Sequence, residues 1–562
     1  MKYKLINPPK MDILETVLFN RNIFNLEDYL NPPTESISPL LLDNMEIGVN
    51  VIRKHIDNNS KFCILIDCDA DGLTSSVLMY LYLKQLGIEP FMVYHEGKVH
   101  GLNDKVCYDQ ILEFNPDILI IPDASSNEAE LHNELIDKMD IIVLDHHESD
   151  NVLDSKAIII NNQTSPNFPN KNLSGVGIVY KFLQQLDSVY GINLVNAMLD
   201  LVAVGNVADL MDLNNLDTRY LVLEGLKQVY NPLFKEIMEQ EKISSLTIMD
   251  IAFKISPLIN AIIRIGTMDE KKMLFDALIG KDYTVTYKYQ GKEKTQTVQQ
   301  AVIRISKNCK SRQSRVVKKY TEELNKQILK SNLLENKVLI LNTTDIFEIP
   351  QVSGLVATKI ANEYKRPVLL LGQRSDTDMF GGSARSYGSL DFKEICSSSG
   401  LFIFTEGHKG AFGSSIKKEN IYLLNDYFNE VLADTDLEVC HKVDYEIDIK
   451  NLRISHIATI SDLSHLWGCF IDEPMFAITN ITLKPHQLKK NGIVASFESN
   501  NISFIKNFAS SSFVEEFTCG KERGFSNKDI KVDLICKFKK SNNKYFCEIV
   551  DYHSEVSQEI IF

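Results

Sequence analysis

Three aspartates stand directly after the first strongly apolar run of the chain. Residues Phe62–Ile66 read FCILI, which predicts a buried strand, and Asp67, Asp69 and Asp71 follow it before Gly72. Three carboxylates on one turn repel one another unless a cation lies among them. A solvated acidic turn is the alternative, but the spacing favours a site for a divalent cation.

The same spacing also begins a calcium-binding EF-hand loop. Such a loop needs a helix before it and a glutamate at its twelfth position. Here a predicted strand precedes the aspartates, and Leu78 occupies the twelfth position. A catalytic divalent-metal site is therefore favoured over a calcium loop.

Two later apolar runs, residues 118–122 and 141–144, end in the same way. The first is followed by Asp123 and the second by Asp145, His146 and His147. Carboxylates together with an imidazole suit Mn²⁺ or Mg²⁺, and no set of thiolates suggests structural zinc. A fourth apolar run ends at Asp209, which taken alone is typical of a cap or turn residue.

The elements that must position these residues are strands alternating with helices. A helix is predicted from Thr74, as its N-cap, to residue 86, and a further strand over 91–95, while residues 1–60 have a helical pattern with a break at Pro32-Pro33. Strands that alternate with helices form a parallel sheet, and ligands bind beyond the carboxyl ends of its strands. The candidate ligands all follow such ends.

Composition limits the classes of function. The 562 residues suggest three or four domains, and 44% hydrophobic with 24% charged residues is ordinary for globular cores. The net charge of 60 − 75 = −15 argues against an overall basic coat, so nucleic-acid binding would need local basic patches. Ten cysteines without a C-x-x-C pair, no signal core and no membrane span favour a cytoplasmic protein that does not enter a membrane.

Together these motifs resemble the DHH phosphoesterase superfamily and, within it, the RecJ-like exonucleases that are specific for single-stranded DNA. The resemblance rests on residues 67–72, Asp123 and the triplet 145–147, and it covers nearly the whole chain. It continues through the following segments: residues 30–33, 170–177, 199–209 and 381–386, and Gly407-His408 with Ala411 and Gly413.

The resemblance implies a two-ion site for Mn²⁺ or Mg²⁺ and assigns roles to its residues. The implied metal ligands are Asp67, Asp69, Asp123, His146 and Asp209, with Asp123 as the bridge. His147 would lie beside the attacking water or the phosphate and assist proton transfer, and Asp145 would orient a histidine. Asp71 either supports a ligand or caps a helix, and both interpretations stay open.

The resemblance also implies a set of substrate-binding residues. They are Ser174, Gly175, Asn260, Arg264, Ser383, Arg385, Ser386, Gly407 and His408. Glycines at 381–382 would let the backbone cradle a phosphate, and Arg385 could grip two of its oxygens. A Gly-Gly-Ser string alone is more often a turn, and His408 alone could equally be a buried packing residue.

The chain departs from the family pattern at several positions. Leu65-Ile66 stand where a His-Gly pair is usual, Ile263 interrupts the string that ends in Arg264, and Leu258 replaces an arginine. The basic residue expected before Gly101-Leu102 is either His95 or Lys98. These departures affect phosphate holding and rate, but none removes a metal ligand.

Four regions are predicted along the chain. Residues 1–235 hold an N-terminal segment and the DHH domain, and residues 236–335 form a helical connector with a hairpin at 281–297. The connector also contains a basic stretch at 301–320, for which contact with DNA is favoured over simple solvation. Residues 336–435 form a second, DHH-associated α/β domain. Residues 436–562 alternate in a way that suits an OB-like β domain for single strands, with Trp467 in its core.

The resemblance implies a metal-dependent exonuclease that degrades single-stranded DNA from the 5′ end to nucleoside 5′-monophosphates in recombination and repair, with a single-strand-binding protein or helicase as a possible partner. Two alternatives remain. One is a phosphodiesterase for short oligonucleotides or cyclic dinucleotides, against which the C-terminal domain and the basic connector argue. The other is a non-catalytic replication scaffold, against which the intact metal motifs argue.

Overall fold

The predicted parallel sheet is confirmed, and it brings the candidate ligands to one edge. The computed structural model describes residues 1–10, 12–33, 37–96, 100–149, 152–374, 377–388, 390–437, 440–468, 471–518, 529–541 and 544–556. Five parallel strands lie in the spatial order Phe91–Tyr94, Phe62–Ile66, Ile118–Pro122, Asp140–Asp145 and Ile158–Asn161. The strands at 62–66 and 118–122 are buried along their whole length because helices cover them.

The helices of this domain begin and end at identifiable residues. They span Met45–Asp57, Ala70–Gln85, Lys105–Phe114, Ala129–Leu135, Gly175–Tyr190, Leu199–Ala208 and Leu216–Lys227. The predicted start at Thr74 is wrong. The Asp69 carboxylate accepts from the amides of Asp71 and Gly72, so it caps the helix and starts it at Ala70.

A helical connector follows, as predicted, and contains the predicted hairpin. Its helices are Pro232–Gln240, Ile248–Asp250, a π-helical turn Ile251–Ile255, Ser256–Ile265 and Met268–Leu278. Strands Thr284–Tyr289 and Lys292–Thr297 pair antiparallel and lead into the 33-residue helix Val298–Lys330, which contains the basic stretch. Thr297 and Gln300 form a capping box at the start of that helix.

The second α/β domain is built on a mixed sheet of five strands. Their order is Phe402–His408, Ala411–Lys417, Met379–Arg385, Val368–Gln373 and Leu339–Asn342, with only the last pair parallel. Helices Ser353–Tyr364, Phe392–Ser398, Lys418–Ile421 and Leu424–Val431 accompany it. Residues 381–385 are therefore a strand paired on both sides, which corrects the expectation of a glycine-rich cradle, since a paired strand uses its amides in the sheet.

The first 33 residues do not belong to the compact unit that contains the candidate metal ligands, although the sequence grouped residues 1–235 together. The chain forms two compact units: Met1–Pro33, Asp212–Leu216 and Cys440–Phe562 in one, and Thr34–Met211 with Asp217–Val439 in the other. Strand Lys2–Leu5, where a helical pattern was expected, pairs in parallel with Cys440–Val443. The Arg21 guanidinium binds the buried Asp444 carboxylate, which fixes helix Ile13–Phe19 to the same unit. The divisions at residues 235 and 335 stay predictions.

The C-terminal region contains a mixed sheet of seven strands that is consistent with an OB-like domain. Their order is Tyr445–Asp448, Phe476–Leu483, Ile530–Ser541, Lys544–Val556, Ile502–Lys506, Val494–Ser499 and Lys489–Asn491. Helices Leu26–Leu30, Ile454–Ser461 and Ser511–Thr518 belong to the same unit. Trp467 is 3% exposed, so its predicted core position is confirmed. Among the described residues, no helix combines the length and apolarity needed to cross a bilayer.

Candidate metal centre

The sheet edge brings together three of the predicted ligand carboxylates. Asp67 follows strand Phe62–Ile66 directly, Asp69 caps the next helix, and Asp123 follows strand Ile118–Pro122. One oxygen from each carboxylate lies within 4.8 Å of the others. Asp67 and Asp123 are 4% and 1% exposed, so water screens their charges poorly.

The remaining predicted ligands complete this group on the same side. His146 Nε2 lies 3.2 Å from Asp123 Oδ1 and 3.4 Å from Asp209 Oδ2. The run that ends at Asp209 is helix Leu199–Ala208, and Asp209 holds its C-cap position, as its sequence alone suggested. We call Asp67, Asp69, Asp123, His146 and Asp209 the carboxylate cluster.

Asp145 orients the turn that carries both histidines. Its Oδ1 accepts from the His146 amide at 2.7 Å and from the His147 amide at 3.2 Å, and it lies 2.7 Å from His147 Nδ1. Although desolvation lowers it, the Asp145 charge raises the pKa of His147 to about 9. Burial and the neighbouring His147 charge lower the pKa of His146 to about 3, which leaves a neutral imidazole able to ligate a metal.

Asp71 caps the N-terminus of a helix other than its own. The two interpretations left open, a helix cap and a support for a ligand, therefore apply together. Its carboxylate accepts from Ser174 Oγ at 2.9 Å, from the Gly175 amide at 2.6 Å and from the Val176 amide at 3.2 Å. Helix Gly175–Tyr190 thus receives a buried anion at its N-terminus. Ser174 Oγ and the Gly175 amide thus donate to Asp71, and the expected role of these two residues in substrate binding stays a prediction.

Asp123 is held in an unusual backbone conformation. Its φ is +65°, in the left-handed region that non-glycine residues seldom adopt. Gly175 packs against it so closely that an added Cβ would stand 2.5 Å from Asp123 Cβ. Backbone strain of this kind persists only where the surroundings enforce it, and it concentrates at functional sites.

The donor set of the cluster fits divalent cations. Asp67 Oδ1 and Asp123 Oδ1 are buried and have no hydrogen-bond partner among the described residues, which is costly for a carboxylate. Burial and the adjacent aspartates raise the pKa of Asp123 well above its ordinary value. Cations among these oxygens would remove both penalties, and four carboxylates with one imidazole suit Mn²⁺ or Mg²⁺.

The metal-free protein should lose stability as the pH rises. Burial, followed by neighbouring aspartates, raises the pKa of Asp71 to about 7 and that of Asp209 to about 8. A carboxyl group whose pKa is raised by folding stabilises the folded state below its unfolded value and loses this effect as the pH rises through the folded value. We therefore expect the Tm of chelator-treated protein to fall from about pH 6 to about pH 8.5.

Thermal unfolding with chelator and with Mn²⁺ at each pH checks this expectation. The rise in Tm caused by Mn²⁺ should be larger at the upper pH, because ligands must be deprotonated to bind metal. The His147 pKa of about 9 acts in the same direction, since folding raises it too. A metal-free Tm that increases over this range would contradict the proposed repulsion within the cluster.

Two histidines near the cluster had not been assigned correctly from the sequence. His95 is 3% exposed, and its Nδ1 lies 3.1 Å from Asp104 Oδ2, so it packs inside the domain, which argues against it as the basic residue expected before Gly101-Leu102. Lys98, the alternative, lies outside the described residues. His100 was missed, yet its Nδ1 lies 2.7 Å from Asp67 Oδ2, and this contact raises its pKa to about 12 despite desolvation.

The predicted phosphate residues divide into two groups. Asn260 and Arg264 lie one turn apart on helix Ser256–Ile265, and Asp69 and Arg264 are close enough to interact electrostatically. Burial and the Arg264 charge lower the pKa of Arg385, so these two guanidinium groups are also within electrostatic reach of each other. Arg385 Nε donates to Thr358 Oγ1 at 3.2 Å, and the hydroxyls of Ser383 and Ser353 are 2.7 Å apart.

The other group, Ser386, Gly407 and His408, lies next to Arg385 at the hairpin end of the second sheet. Arg385 and His408 are both in register with Ala411, on either side of its strand. His408 is exposed, which excludes the packing interpretation, and Gly407 precedes it with a φ of +125°. Ser386 Oγ donates to the Leu390 carbonyl at 2.7 Å, so its hydroxyl hydrogen is engaged within the turn.

The departures from the family pattern are apolar packing positions. Leu65 and Ile66 are 1% and 4% exposed within their strand, and Ile263 is 8% exposed. Leu258 is half-buried on the same helix as Arg264. Sequence comparison alone could not show that the cluster forms without polar groups at these places.

Comparison with known proteins identifies the family of this fold and site. The DHH family N-terminal domain matches residues 61–206. A protein of Bacillus subtilis named as an SPbeta prophage-derived single-strand DNA-specific exonuclease is 34% identical over 97% of this chain and 96% of its own length. The single-stranded-DNA-specific exonuclease RecJ of the same organism is 27% identical over 79% of this chain and 55% of its own length.

Solved structures show the same fold. RecJ of Thermus thermophilus in complex with Mn²⁺ superposes with a TM-score of 0.73 at 18% identity, over 96% of this chain and 76% of that one. A RecJ exonuclease bound to manganese gives a TM-score of 0.54 at 22% identity, over 71% of this chain and 97% of that one. Because a relative that is 34% identical matches 97% of it, the chain belongs to the RecJ-like family of single-strand-DNA-specific exonucleases within the DHH superfamily.

Proposed function

We propose that this protein is a Mn²⁺- or Mg²⁺-dependent exonuclease that degrades single-stranded DNA from the 5′ end to nucleoside 5′-monophosphates, in recombination and repair. The observation that carries the proposal is the pair of buried carboxylate oxygens on Asp67 and Asp123 that accept no hydrogen bond from a described residue, within the carboxylate cluster. The relatives named as single-strand DNA-specific exonucleases support the substrate. The structures of Thermus RecJ in complex with Mn²⁺ and with Mg²⁺ support the cofactor.

The carboxylate cluster would hold two ions, with Asp123 shared between them. When bound, such ions supply positive charge to a phosphodiester and lower the pKa of water. Asp145 holds the ring of His147 at 2.7 Å, so Nε2 of His147 is free to exchange a proton with the phosphate or the attacking water. The intact cluster also argues against a non-catalytic scaffold.

Arg264 and Arg385 would bind the phosphate on the side opposite the cluster. Two guanidinium groups held near each other are costly unless an anion lies between them, and a forked donor matches phosphate oxygens. Asn260, Ser383 and His408 would complete this surface, with Ser386 and Gly407 shaping its turns. If this surface accepts only the 5′ end of a strand, degradation would proceed from that end.

Product analysis tests the proposed function. Single strands labelled at the 5′ or the 3′ end are incubated with Mn²⁺, and the products are separated at early times. A 5′ label should appear at once as mononucleotide, whereas a 3′ label should stay on shortening strands. Early mononucleotides from the 3′ end would reverse the polarity, and release of short internal fragments would exclude an exonuclease.

The basic stretch 301–320 is a second surface for the strand. Several of its cations pair with acids: Lys307 with Glu241, Arg312 with Glu270, Lys318 with Glu322 and Lys319 with Glu348. Lys310 and Arg315 are exposed and form no ion pair with a described residue. With Lys307, Ser311 and Ser314 they line a shallow concavity, where a DNA backbone could lie.

Replacing Lys310 and Arg315 together by alanine should weaken long-strand binding and its salt dependence. Each phosphate contact contributes about 0.7 to the slope of log K against log salt for single strands, so the double variant should lower the slope by about 1.4. Lys330→Ala, on the same helix beyond the basic stretch, is the matched control. Fluorescence anisotropy of a ~20-nucleotide strand across salt concentrations measures this slope. An unchanged slope in the double variant would show that the basic stretch is only a solvated surface.

The OB-like region would bind single strands through base stacking and backbone contacts. It would explain a preference for long strands over cyclic dinucleotides or short oligonucleotides, because those offer fewer bases and phosphates to bind. A single-strand-binding protein or helicase as partner would present such strands. Duplex DNA should remain a poor substrate.

A further inference from the structure

We propose that Glu128 is a positioning residue that ties together the two loops flanking the metal centre; this inference rests on the proposed function. Glu128 precedes helix Ala129–Leu135 at its N-cap position, yet its carboxylate forms no capping hydrogen bond with that helix. Its oxygens are used elsewhere, by a different segment of the chain.

The carboxylate of Glu128 fastens the turn Gly101–Asn103. It accepts from the Leu102 amide at 2.7 Å, from the Asn103 amide at 3.1 Å and from Asn103 Nδ2 at 2.5 Å. Leu102 is 1% exposed, so its N–H would lose its partner if Glu128 were removed. The residue immediately before this turn is His100, whose imidazole contacts the Asp67 carboxylate.

The same carboxylate also holds the loop that carries the bridging aspartate. Ser125 Oγ donates to Glu128 Oε2. Ser125 has a φ of +83° and stands two residues after Asp123, whose φ is +65°. Two non-glycine residues in this region so close together store strain, and an external contact must hold them there.

Gly101 shows how tightly the three segments fit. Its φ is +60°, and an added Cβ would stand 2.5 Å from Glu128 Oε2 and 2.8 Å from Ser125 Oγ. Only glycine fits at this point, so the turn before Leu102 and the loop after Asp123 meet at one carboxylate. Glu128 therefore acts on Asp67 through His100 and on Asp123 through Ser125, without touching either carboxylate itself.

The functional consequence concerns the metal affinity of the site. Removing a residue that orients a metal ligand without contacting the metal itself changes metal affinity or activity by about 10–100-fold. Loss of Glu128 should release both loops and separate Asp67 from Asp123 part of the time. The protein should still fold, because the sheet and helices below the loops do not depend on these contacts.

The test compares Glu128→Ala with Glu128→Gln, with Glu128→Ala combined with Ser125→Gly, and with Glu130→Ala as the matched control. Glu130 is exposed two residues along the same helix. Mn²⁺ affinity by calorimetry, the Mn²⁺ dependence of hydrolysis and hydrogen exchange at Leu102 and Asn103 are measured, with Tm as a check on folding. Glu128→Ala should weaken Mn²⁺ affinity about 10–100-fold and speed exchange at both amides.

The other variants distinguish positioning from general stability. Glu128→Gln keeps one acceptor oxygen and should lose less. Ser125→Gly should recover part of the Mn²⁺ affinity of the alanine variant, because glycine adopts a positive φ without strain. Mn²⁺ affinity in Glu128→Ala equal to that in Glu130→Ala would overturn the inference, as would a loss that follows Tm alone. Failure of the proposed function would look different, since the unaltered protein would then leave single strands intact.

Discussion

Asp123→Asn should abolish hydrolysis while leaving the protein folded. The substitution keeps the size of the side chain but removes the charge that the two ions would share. We expect the rate to fall beyond the range of about 10–100-fold that follows removal of a residue supporting a ligand. Asparagine also tolerates a positive φ, so the strained turn should be preserved.

The stability of this variant provides an independent readout. Burial and neighbouring charges disfavour the ionised form of Asp123 in the metal-free protein. A neutral amide avoids that penalty, so metal-free Asp123→Asn should have a Tm at least equal to that of the unaltered protein at about pH 8. Rates on a labelled strand and thermal unfolding with chelator measure the two effects.

Asp137→Asn is the matched control, because Asp137 is an exposed aspartate of the same domain. It should keep full activity and an unchanged response to chelator. Hydrolysis by Asp123→Asn within a few-fold of the unaltered rate would exclude the shared-ligand mechanism. Loss of both activity and folded structure would instead show that Asp123 is needed for stability.

The sequence predicted the parts of the site that depend on strand ends. Apolar runs that finish in Asp67, Asp123 and Asp145 predicted a parallel sheet, and a parallel sheet gathers such residues at one edge because all its strands run the same way. The structure confirms this sheet, and the carboxylates do meet there. Local patterning was sufficient because position along a strand decides position in space.

Other features depend on partners far along the chain, and no local pattern contained them. Asp71 faces helix Gly175–Tyr190, more than a hundred residues later, so its capping role could not be read from the turn itself. The contact between His100 and Asp67 likewise joins separate loops. Strand Lys2–Leu5 was missed because the strand that pairs with it, Cys440–Val443, lies more than four hundred residues later in the sequence.

Glycine-rich residues 381–386 show a different limit. The glycines at 381–382 predicted a backbone cradle for a phosphate, because glycine lets the backbone approach a ligand closely, yet they lie in strand Met379–Arg385 between two neighbours. There glycine permits close packing, since an added Cβ on Gly382 would collide with the Leu370 carbonyl. We therefore expect side chains of this segment, Arg385 above all, and not a backbone loop, to bind a phosphate.

Arg385→Ala should reduce kcat/KM roughly 10- to 150-fold. This corresponds to a loss of about 1.5–3 kcal/mol in transition-state stabilisation, the range for a hydrogen bond to a charged group. If Arg385 holds the terminal phosphate, the loss should be larger on 5′-phosphorylated strands than on 5′-hydroxyl strands. Arg385→Lys keeps the charge but not the fork, so it should recover only part of the activity. Arg374→Ala serves as the control, because it removes an exposed arginine beside Met379, at the opposite end of strand Met379–Arg385.

Gly354→Ala tests the same group without removing its charge. An added Cβ at Gly354 would collide with the Arg385 guanidinium, which packs against helix Ser353–Tyr364 at this point. Alanine favours that helix, so the fold should gain stability while Arg385 is displaced from its place beside Arg264. Gly354→Ala should therefore reproduce much of the loss seen with Arg385→Ala and add little to it in the double variant, because both act on one contact. Equal losses on 5′-phosphorylated and 5′-hydroxyl strands would place Arg385 on an internal phosphate. Full activity in both single variants would show that Arg385 does not bind the substrate.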